Sequence, residues 1–293
     1  MATRSQWIAG TRPRTLPAAI APVLVGTAIA DYEHSVRIGI AICALVVALA
    51  LQVGVNFAND YSDGIRGTDD VRVGPVRLVG QKLATPAQVK RAAFLSFAVA
   101  AVAGLIMAVV SGLWILLPVG ISAMFAAWFY TGGRKPYGYL GFGEVFVFTY
   151  FGLVAVIGTS ASQTGTISTL SILGGIACGL LSTAILLTNN VRDIPSDITA
   201  GKKTLAVRLG DTKTRVLYQI AVVAGIGISI AMSLITNGPT LAWLAISAGF
   251  VASEPIRIIR SGAKGKALIP VLAGTGRTLF VFSLIISFAI ANS

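Results

Sequence analysis

Two short runs concentrate the side chains of this protein that could bind a metal ion or handle an anionic group. The first, from Asn56 to Asp70, contains four of the eleven acidic residues: Asp60, Asp63, Asp69 and Asp70. If Ala50 to Asp63 is helical, Asn56 and Asp60 stand four apart, as do Asn59 and Asp63, so all four share one face. Carboxylate and amide oxygens grouped in this way are hard ligands. They suit Mg²⁺, which is normally held by one or two carboxylates together with substrate phosphates. The second run, Asn189 to Asp197, spaces Asn189, Asp193 and Asp197 at i, i+4 and i+8, with Pro195 expected to end or bend the helix before Asp197. A solvated helix end rich in turn formers accounts for either run alone. Their recurrence after two long apolar segments argues for a site.

Cations stand near both runs. Arg66, Arg134, Lys135, Arg192, Lys202 and Lys203 are candidates to neutralise a diphosphate beside carboxylate-held Mg²⁺. A third segment, Tyr130 to Glu144, carries five glycines, Pro136 and the tyrosines Tyr130, Tyr137 and Tyr139. It reads either as an interfacial aromatic belt with a tight turn or as the wall of a pocket for an aromatic acceptor. Glu144 is more than a belt requires, and an ionisable group at the start of a membrane span is a functional candidate.

Other chemistries lack their residues. The single histidine is His34, and Cys43 and Cys178 both lie within apolar runs, so neither a His/Cys metal site nor a paired cysteine nucleophile is expected. No GxxxxGK[ST] motif occurs, which removes the familiar route to ATP-driven work. The net charge of +12 is largely explained by membrane topology and anionic lipid, and no nucleic-acid partner is expected.

The elements that must position these residues are membrane helices. Mean hydropathy is +0.81, and 12% of residues are charged, about half the share of a soluble domain. Apolar runs near the roughly 20 residues needed to cross a bilayer fall at 16–31, 38–58, 92–110, 113–131, 142–161, 169–190, 216–236, 240–256 and 268–290. This predicts an all-α, multi-pass membrane protein forming one domain over residues 1–293. Twenty-one of the 23 basic residues fall in the N-terminal segment and the even connections, the exceptions being Arg37 and Arg277. By the positive-inside rule the N-terminus is cytoplasmic. Both Asn/Asp runs and the tyrosine turn then open to the cytoplasm, where the two long connections are expected to cap the site.

Asn59-Asp60-Tyr-Ser-Asp63 and Asn189-Asn190-Val-Arg-Asp193-Ile-Pro-Ser-Asp197 now carry a resemblance. With Arg12-Pro-Arg-Thr-Leu-Pro17, Tyr130-Thr-Gly-Gly and Lys202-Lys-Thr-Leu-Ala-Val-Arg-Leu-Gly210, they resemble the UbiA-type intramembrane aromatic prenyltransferases, over residues 12 to about 280. The resemblance implies nine transmembrane helices around a central cavity in the cell (plasma) membrane. It also implies Mg²⁺-dependent transfer of a polyprenyl group from polyprenyl diphosphate to an aromatic ring. The Asn-Asn-x-Arg-Asp form favours the branch acting on 1,4-dihydroxy-2-naphthoate, which also loses CO₂ and gives demethylmenaquinol. In that reading Asp60 and Asp63 hold one Mg²⁺ and Asp193 and Asp197 another, while Asn56, Asn59 and Asn189 orient them. Arg66, Arg134, Lys135, Arg192, Lys202 and Lys203 bind diphosphate, and Tyr130, Tyr137, Tyr139 and Glu144 receive the acceptor. Where the family has a further Asp four residues after Asp63, this chain has Gly67, with Asp69 and Asp70 beyond as possible ligands. Two alternatives stand: another aromatic acceptor, such as 4-hydroxybenzoate, and a transporter. The second is disfavoured because the acids gather at one face and not at the midplane.

Overall fold

The computed structural model describes residues 2–67, 76–236 and 239–293. Every regular element among them is helical. The helices are α1 (Arg4–Gly10), α2 (Pro17–Tyr32), α3 (Ile38–Ile65), α4 (Pro86–Ser111), α5 (Leu116–Phe129), α6 (Gly143–Phe148), α7 (Ala155–Thr164) and α8 (Thr169–Thr199). They continue with α9 (Leu205–Leu209), α10 (Asp211–Ile235), α11 (Pro239–Ile246), α12 (Ala248–Arg260) and α13 (Ile269–Ala291). In lipid every backbone polar group must be satisfied within its own segment, which favours this architecture for so apolar a chain.

Six of these segments are long and apolar enough to span a bilayer: α3, α4, Gly143–Thr164, α8, α10 and Gly265–Ala291. A seventh results if the pair Arg4–Thr15 and Pro17–Tyr32, bent by 51°, is one span. The predicted spans at 113–131 and 240–256 are not met at full length. Leu116–Phe129 has only 14 residues, and the other run is divided between α11 and α12.

Helix α8 is central, its inward face packed with α2, α10 and α13 around Val25, Ile29, Leu181, Leu187, Tyr218, Leu279 and Phe282. Leu95, Val102, Phe250 and Phe288 remain exposed, as lipid-facing side chains must. Between α6 and α7 the chain makes a π-helical turn, Thr149–Val154, of the kind often found at functional sites. Glycines set its distance from α8. A Cβ on Gly152 would lie 2.4 Å from Gly179 Cα and 2.5 Å from Gly175 O, so the two backbones meet where side chains cannot fit.

Both helices that carry the Asn/Asp runs extend beyond a membrane's thickness. At 28 and 31 residues, α3 and α8 are several residues longer than a span requires. Helix α8 does not end at Pro195. It runs to Thr199, where the Thr199 hydroxyl donates to Pro195 O at 3.0 Å. Asp197 therefore stays on the helix and buried.

Candidate active site

Between α2, α3, α4, α5, the α6–α7 segment and α8 lies one cavity of about 980 Å³. Its lower walls are apolar, with the small residues Ala44, Ala48, Gly104 and Gly120 beside Met107 and Leu116. Its upper end is polar: Asn56, Asn59 and Asp63 from α3 face Asn189, Asn190, Arg192 and Asp197 from α8, with Lys202 beyond them. Carboxylates from two helices more than a hundred residues apart thus open on one space.

Asp63 is heavily engaged. It is 2% exposed. The Tyr139 hydroxyl donates to its Oδ1 at 2.5 Å, Lys202 Nζ lies 3.4 Å from the same oxygen, and an Arg77 nitrogen lies 3.8 Å from Oδ2. Lys202 also sits 4.4 Å above the Tyr139 ring, within range for a cation–π contact. The backbone supports this grouping, because Lys202 N–H donates to Asp197 O and Lys203 N–H to Tyr139 O, tying the segment after α8 to the tyrosine turn.

The asparagines are oriented by neighbours. Thr131 donates to Asn59 Oδ1 at 2.8 Å, and Asn56 Nδ2 donates to Thr11 O at 2.9 Å and to the Thr15 hydroxyl at 3.1 Å. In the tyrosine turn, Gly138 packs against Tyr130, where a Cβ would come within 2.6 Å of the Tyr130 carbonyl oxygen. Tyr130, Tyr137 and Tyr139 all line the cavity. Tyr137 stacks on Phe146 with centroids 3.9 Å apart and donates to Ala126 O at 2.8 Å. Burial pushes its hydroxyl above the usual phenol range, so it remains a donor.

Several predicted site residues are placed elsewhere. Asp60 does not line the cavity. Its two carboxylate oxygens accept the backbone N–H groups of Leu78 and Val79 at 2.6 and 3.1 Å, so it fixes the turn that carries Arg77. On a helix Asp60 lies at the edge of the stripe formed by Asn56, Asn59 and Asp63, and the 78–79 backbone crosses that edge. Asp193 is paired through both oxygens with Arg192, at 2.7 and 2.9 Å. Arg66 does not line the cavity but stands behind its wall, donating to Thr131 O and Gly133 O beside the Tyr139 ring. Arg134, Lys135 and Lys203 are exposed and do not line the cavity. Glu144 is buried beside it, accepting from Asn190 Nδ2 at 2.8 Å. Asp69 and Asp70 lie outside the described residues.

Among the polar lining residues missing from the sequence-based prediction are Arg12, Arg77, Thr131 and Asn190. Arg12 had a signal. Its Arg-Pro pair marks the break between α1 and α2, where Arg12 adopts the left-handed φ of 55°, a conformation costing about 1–2 kcal/mol for a non-glycine residue and often kept at functional positions. Arg77 was indistinguishable from topological charge.

Among the described residues no group of three or more His, Cys, Asp or Glu side chains forms a preassembled metal cluster. The donor set still fits Mg²⁺. Asp63 and Asp197 supply carboxylates and four asparagines bring amide groups around one space, leaving the remaining positions for phosphate and water.

An all-helical membrane fold with a cation-and-carboxylate mouth over an apolar cavity defines an enzyme-like site for an anionic head on a hydrocarbon tail. The chain belongs to the UbiA prenyltransferase family, whose pattern matches residues 19–268. It is 50% identical over 292 residues to the 1,4-dihydroxy-2-naphthoate octaprenyltransferase of Mycobacterium tuberculosis, covering 99% of this chain and 98% of the relative. It is 34% identical to the Escherichia coli protein of the same name, covering 95% and 92%. Among solved structures, a UbiA homologue from Archaeoglobus fulgidus bound to GPP and Mg²⁺ superposes with a TM-score of 0.71 at 14% identity, covering 98% of this chain and all of the other. The apo UbiA homologue from Aeropyrum pernix gives 0.73 at 13% identity, covering 92% and 96%.

Proposed function

We propose that this protein transfers a polyprenyl group from polyprenyl diphosphate to 1,4-dihydroxy-2-naphthoate, releasing diphosphate and CO₂ and forming demethylmenaquinol for menaquinone biosynthesis. The observation that carries the reading is a cavity that joins Asp63, Asp197 and Lys202 to a long apolar body. A substrate with a doubly phosphorylated head and an isoprenoid tail needs both ends at once. The near full-length similarity to naphthoate prenyltransferases supports the choice of acceptor.

In this reading the head lies among Arg12, Arg77, Arg192 and Lys202, whose charges offset those of the two phosphates. Asp63 and Asp197, with Asn59 and Asn189, would hold Mg²⁺, which when bound supplies further neutralisation of the leaving diphosphate. The allylic C–O bond breaks with its electron pair passing to diphosphate. The faces of Tyr130, Tyr137 and Tyr139 stabilise the cationic carbon. The ring carbon that bears the carboxylate then forms the new C–C bond, and the carboxylate leaves as CO₂, its bonding electron pair restoring aromaticity. The apolar walls exclude water, which would otherwise trap the cation as an alcohol. Asp60 and Arg66 act in this scheme as supports for the turns that carry Arg77 and Tyr139.

The enzyme is read as a multi-pass protein of the plasma membrane, with nine membrane-embedded helices, a cytoplasmic N-terminus and the site on the cytoplasmic side. The Lys/Arg distribution supports that orientation. The test is to incubate purified protein and Mg²⁺ with labelled polyprenyl diphosphate and 1,4-dihydroxy-2-naphthoate. Lipid-soluble quinol from wild type but not from Asp63→Ala or Asp197→Ala is expected. Equal product from the variants would refute the assignment, and solute uptake into sealed vesicles without product would favour a transporter.

A further inference from the structure

Glu144 lies beside the cavity without lining it. It occupies the first turn of α6, where a carboxylate suits the helix dipole. That placement explains an acid at the helix start. It does not explain the surroundings: the side chain is 6% exposed, Oε1 accepts from Asn190 Nδ2 at 2.8 Å, and Oε2 is buried with no hydrogen-bond partner. A buried polar atom left without a partner is uncommon and calls for a reason.

The partner that holds the other oxygen, Oε1, is Asn190. Its side chain lines the cavity next to Asn189, on the helix that also presents Arg192 and Asp197. An Asn amide is planar, so when Nδ2 turns toward Glu144 the carbonyl Oδ1 turns away from it. The frame around the pair is stiff. The Gly152 contact with Gly175 and Gly179 holds the α6–α7 segment against α8, and the Thr183 hydroxyl approaches Glu144 O at 3.5 Å.

We infer that Glu144 is a positioning residue that locks Asn190 with Oδ1 facing the cavity, where it accepts a hydrogen bond from a hydroxyl of the aromatic substrate. Accepting that hydrogen bond raises electron density on the ring oxygen and hence on the attacking carbon. The pair therefore governs acceptor binding and orientation, and leaves diphosphate binding to Asp63, Lys202 and their neighbours. Glu144 itself touches no reacting atom. The inference rests on the proposed reading of the acceptor as a hydroxylated arene.

The test varies 1,4-dihydroxy-2-naphthoate at saturating polyprenyl diphosphate, and then the reverse, with full-length protein in lipid nanodiscs. Glu144→Leu is expected to raise the acceptor KM by about tenfold, as for the loss of one buried hydrogen bond, with the diphosphate KM changed less than about twofold. Glu144→Gln keeps an oxygen that accepts from Asn190, so it is expected to restore near wild-type acceptor KM. Asn190→Leu should match Glu144→Leu, and the double variant should be no worse than either single one. Should Glu144→Leu not fold, Asn190→Leu and Glu144→Gln carry the same comparison. An unchanged acceptor KM in Asn190→Leu or Glu144→Leu overturns the inference, as does a Glu144→Gln enzyme as impaired as Glu144→Leu, which would make the carboxylate itself a reacting group. A parallel rise in diphosphate KM overturns it as well. Absence of product from wild type would instead strike the proposed function.

Discussion

Lys202 Nζ stands 3.4 Å from Asp63 Oδ1 across a separation of 139 residues, and both groups border the same cavity. The ammonium is also 4.4 Å above the Tyr139 ring, so one cation touches the carboxylate of α3 and the aromatic turn before α6. Taking Lys202 into a buried site is costly unless its charge is answered. Asp63 answers it in the ligand-free protein, and a diphosphate would answer it in the reaction.

Removing that charge should therefore act on the leaving group. Lys202→Met is expected to lower kcat/KM for polyprenyl diphosphate by about 10²–10³, the range for loss of one group that stabilises developing charge. Lys202→Arg should recover only part, because a planar guanidinium does not replace a compact ammonium at the same point. Steady-state kinetics with each substrate varied will read the effect. A change confined to the acceptor KM would contradict this role.

Asp60 and Asp63 are neighbours in one motif, yet their surroundings differ, and matched substitutions should separate them. Asp63→Asn is expected to abolish Mg²⁺-dependent turnover or shift its Mg²⁺ requirement upward by at least about tenfold. Asp60→Asn loses one acceptor for the Leu78 and Val79 amides. It should cost about 1–3 kcal/mol of stability, visible as a lower Tm and faster proteolysis near residue 78, with the Mg²⁺ dependence of the remaining activity unchanged. A Mg²⁺ titration shifted equally in both variants would return Asp60 to the metal site.

Helical architecture and the pairing of the two Asn/Asp runs were legible because each has a local signature: a long apolar stretch followed by acids at helical spacing. Asp63 and Asp197 could be named for that reason. The difference between Asp60 and Asp63 was not legible, since spacing puts both on nearly one face and only the return of the backbone at Leu78 and Val79 divides them. Arg77 was hidden in the same way, being one of many basic residues that a membrane boundary already explains. Arg134, Lys135 and Lys203 are the opposite case: near the motifs in sequence, they do not line the cavity. Helix α8 continues through Pro195 to Thr199 although proline forgoes a backbone bond there, and a local reading of Pro195 as a stop could not show it.

The crossing of the α6–α7 segment with α8 leaves no space for a side chain at Gly152 or Gly179. A Cβ at Gly179 would meet Phe148 at 2.8 Å, and one at Gly152 would meet backbone at 2.4 Å. Gly152→Val is expected to destabilise the protein by at least about 1–3 kcal/mol through overpacking. Because the crossing sets Glu144 against Asn190, acceptor KM should rise in whatever fraction folds. Gly120, whose Cβ would meet nothing within 4 Å, is the control, and Gly120→Ala should leave Tm within about 2 °C.

The apolar body of the cavity has a length that can be tested. On α3 it is lined from Asp63 down to Ala44, nineteen residues or about 28 Å of helix. An extended chain advances about 1.2 Å per bond, so that length accommodates about six isoprene units laid straight. Gly104 faces this space, with only Val47 near its Cβ position at 3.8 Å. A large side chain there would project into the tail's path without striking backbone. Gly104→Phe is therefore expected to lower turnover of long polyprenyl diphosphates by about tenfold or more, while geranyl diphosphate, whose tail ends above the obstruction, stays within about threefold of wild type. Competition between long and short donors in one reaction measures the ratio directly and cancels any loss of folded enzyme. An unchanged ratio would mean that the tail leaves the bundle above Gly104 and lies in lipid, not along α3.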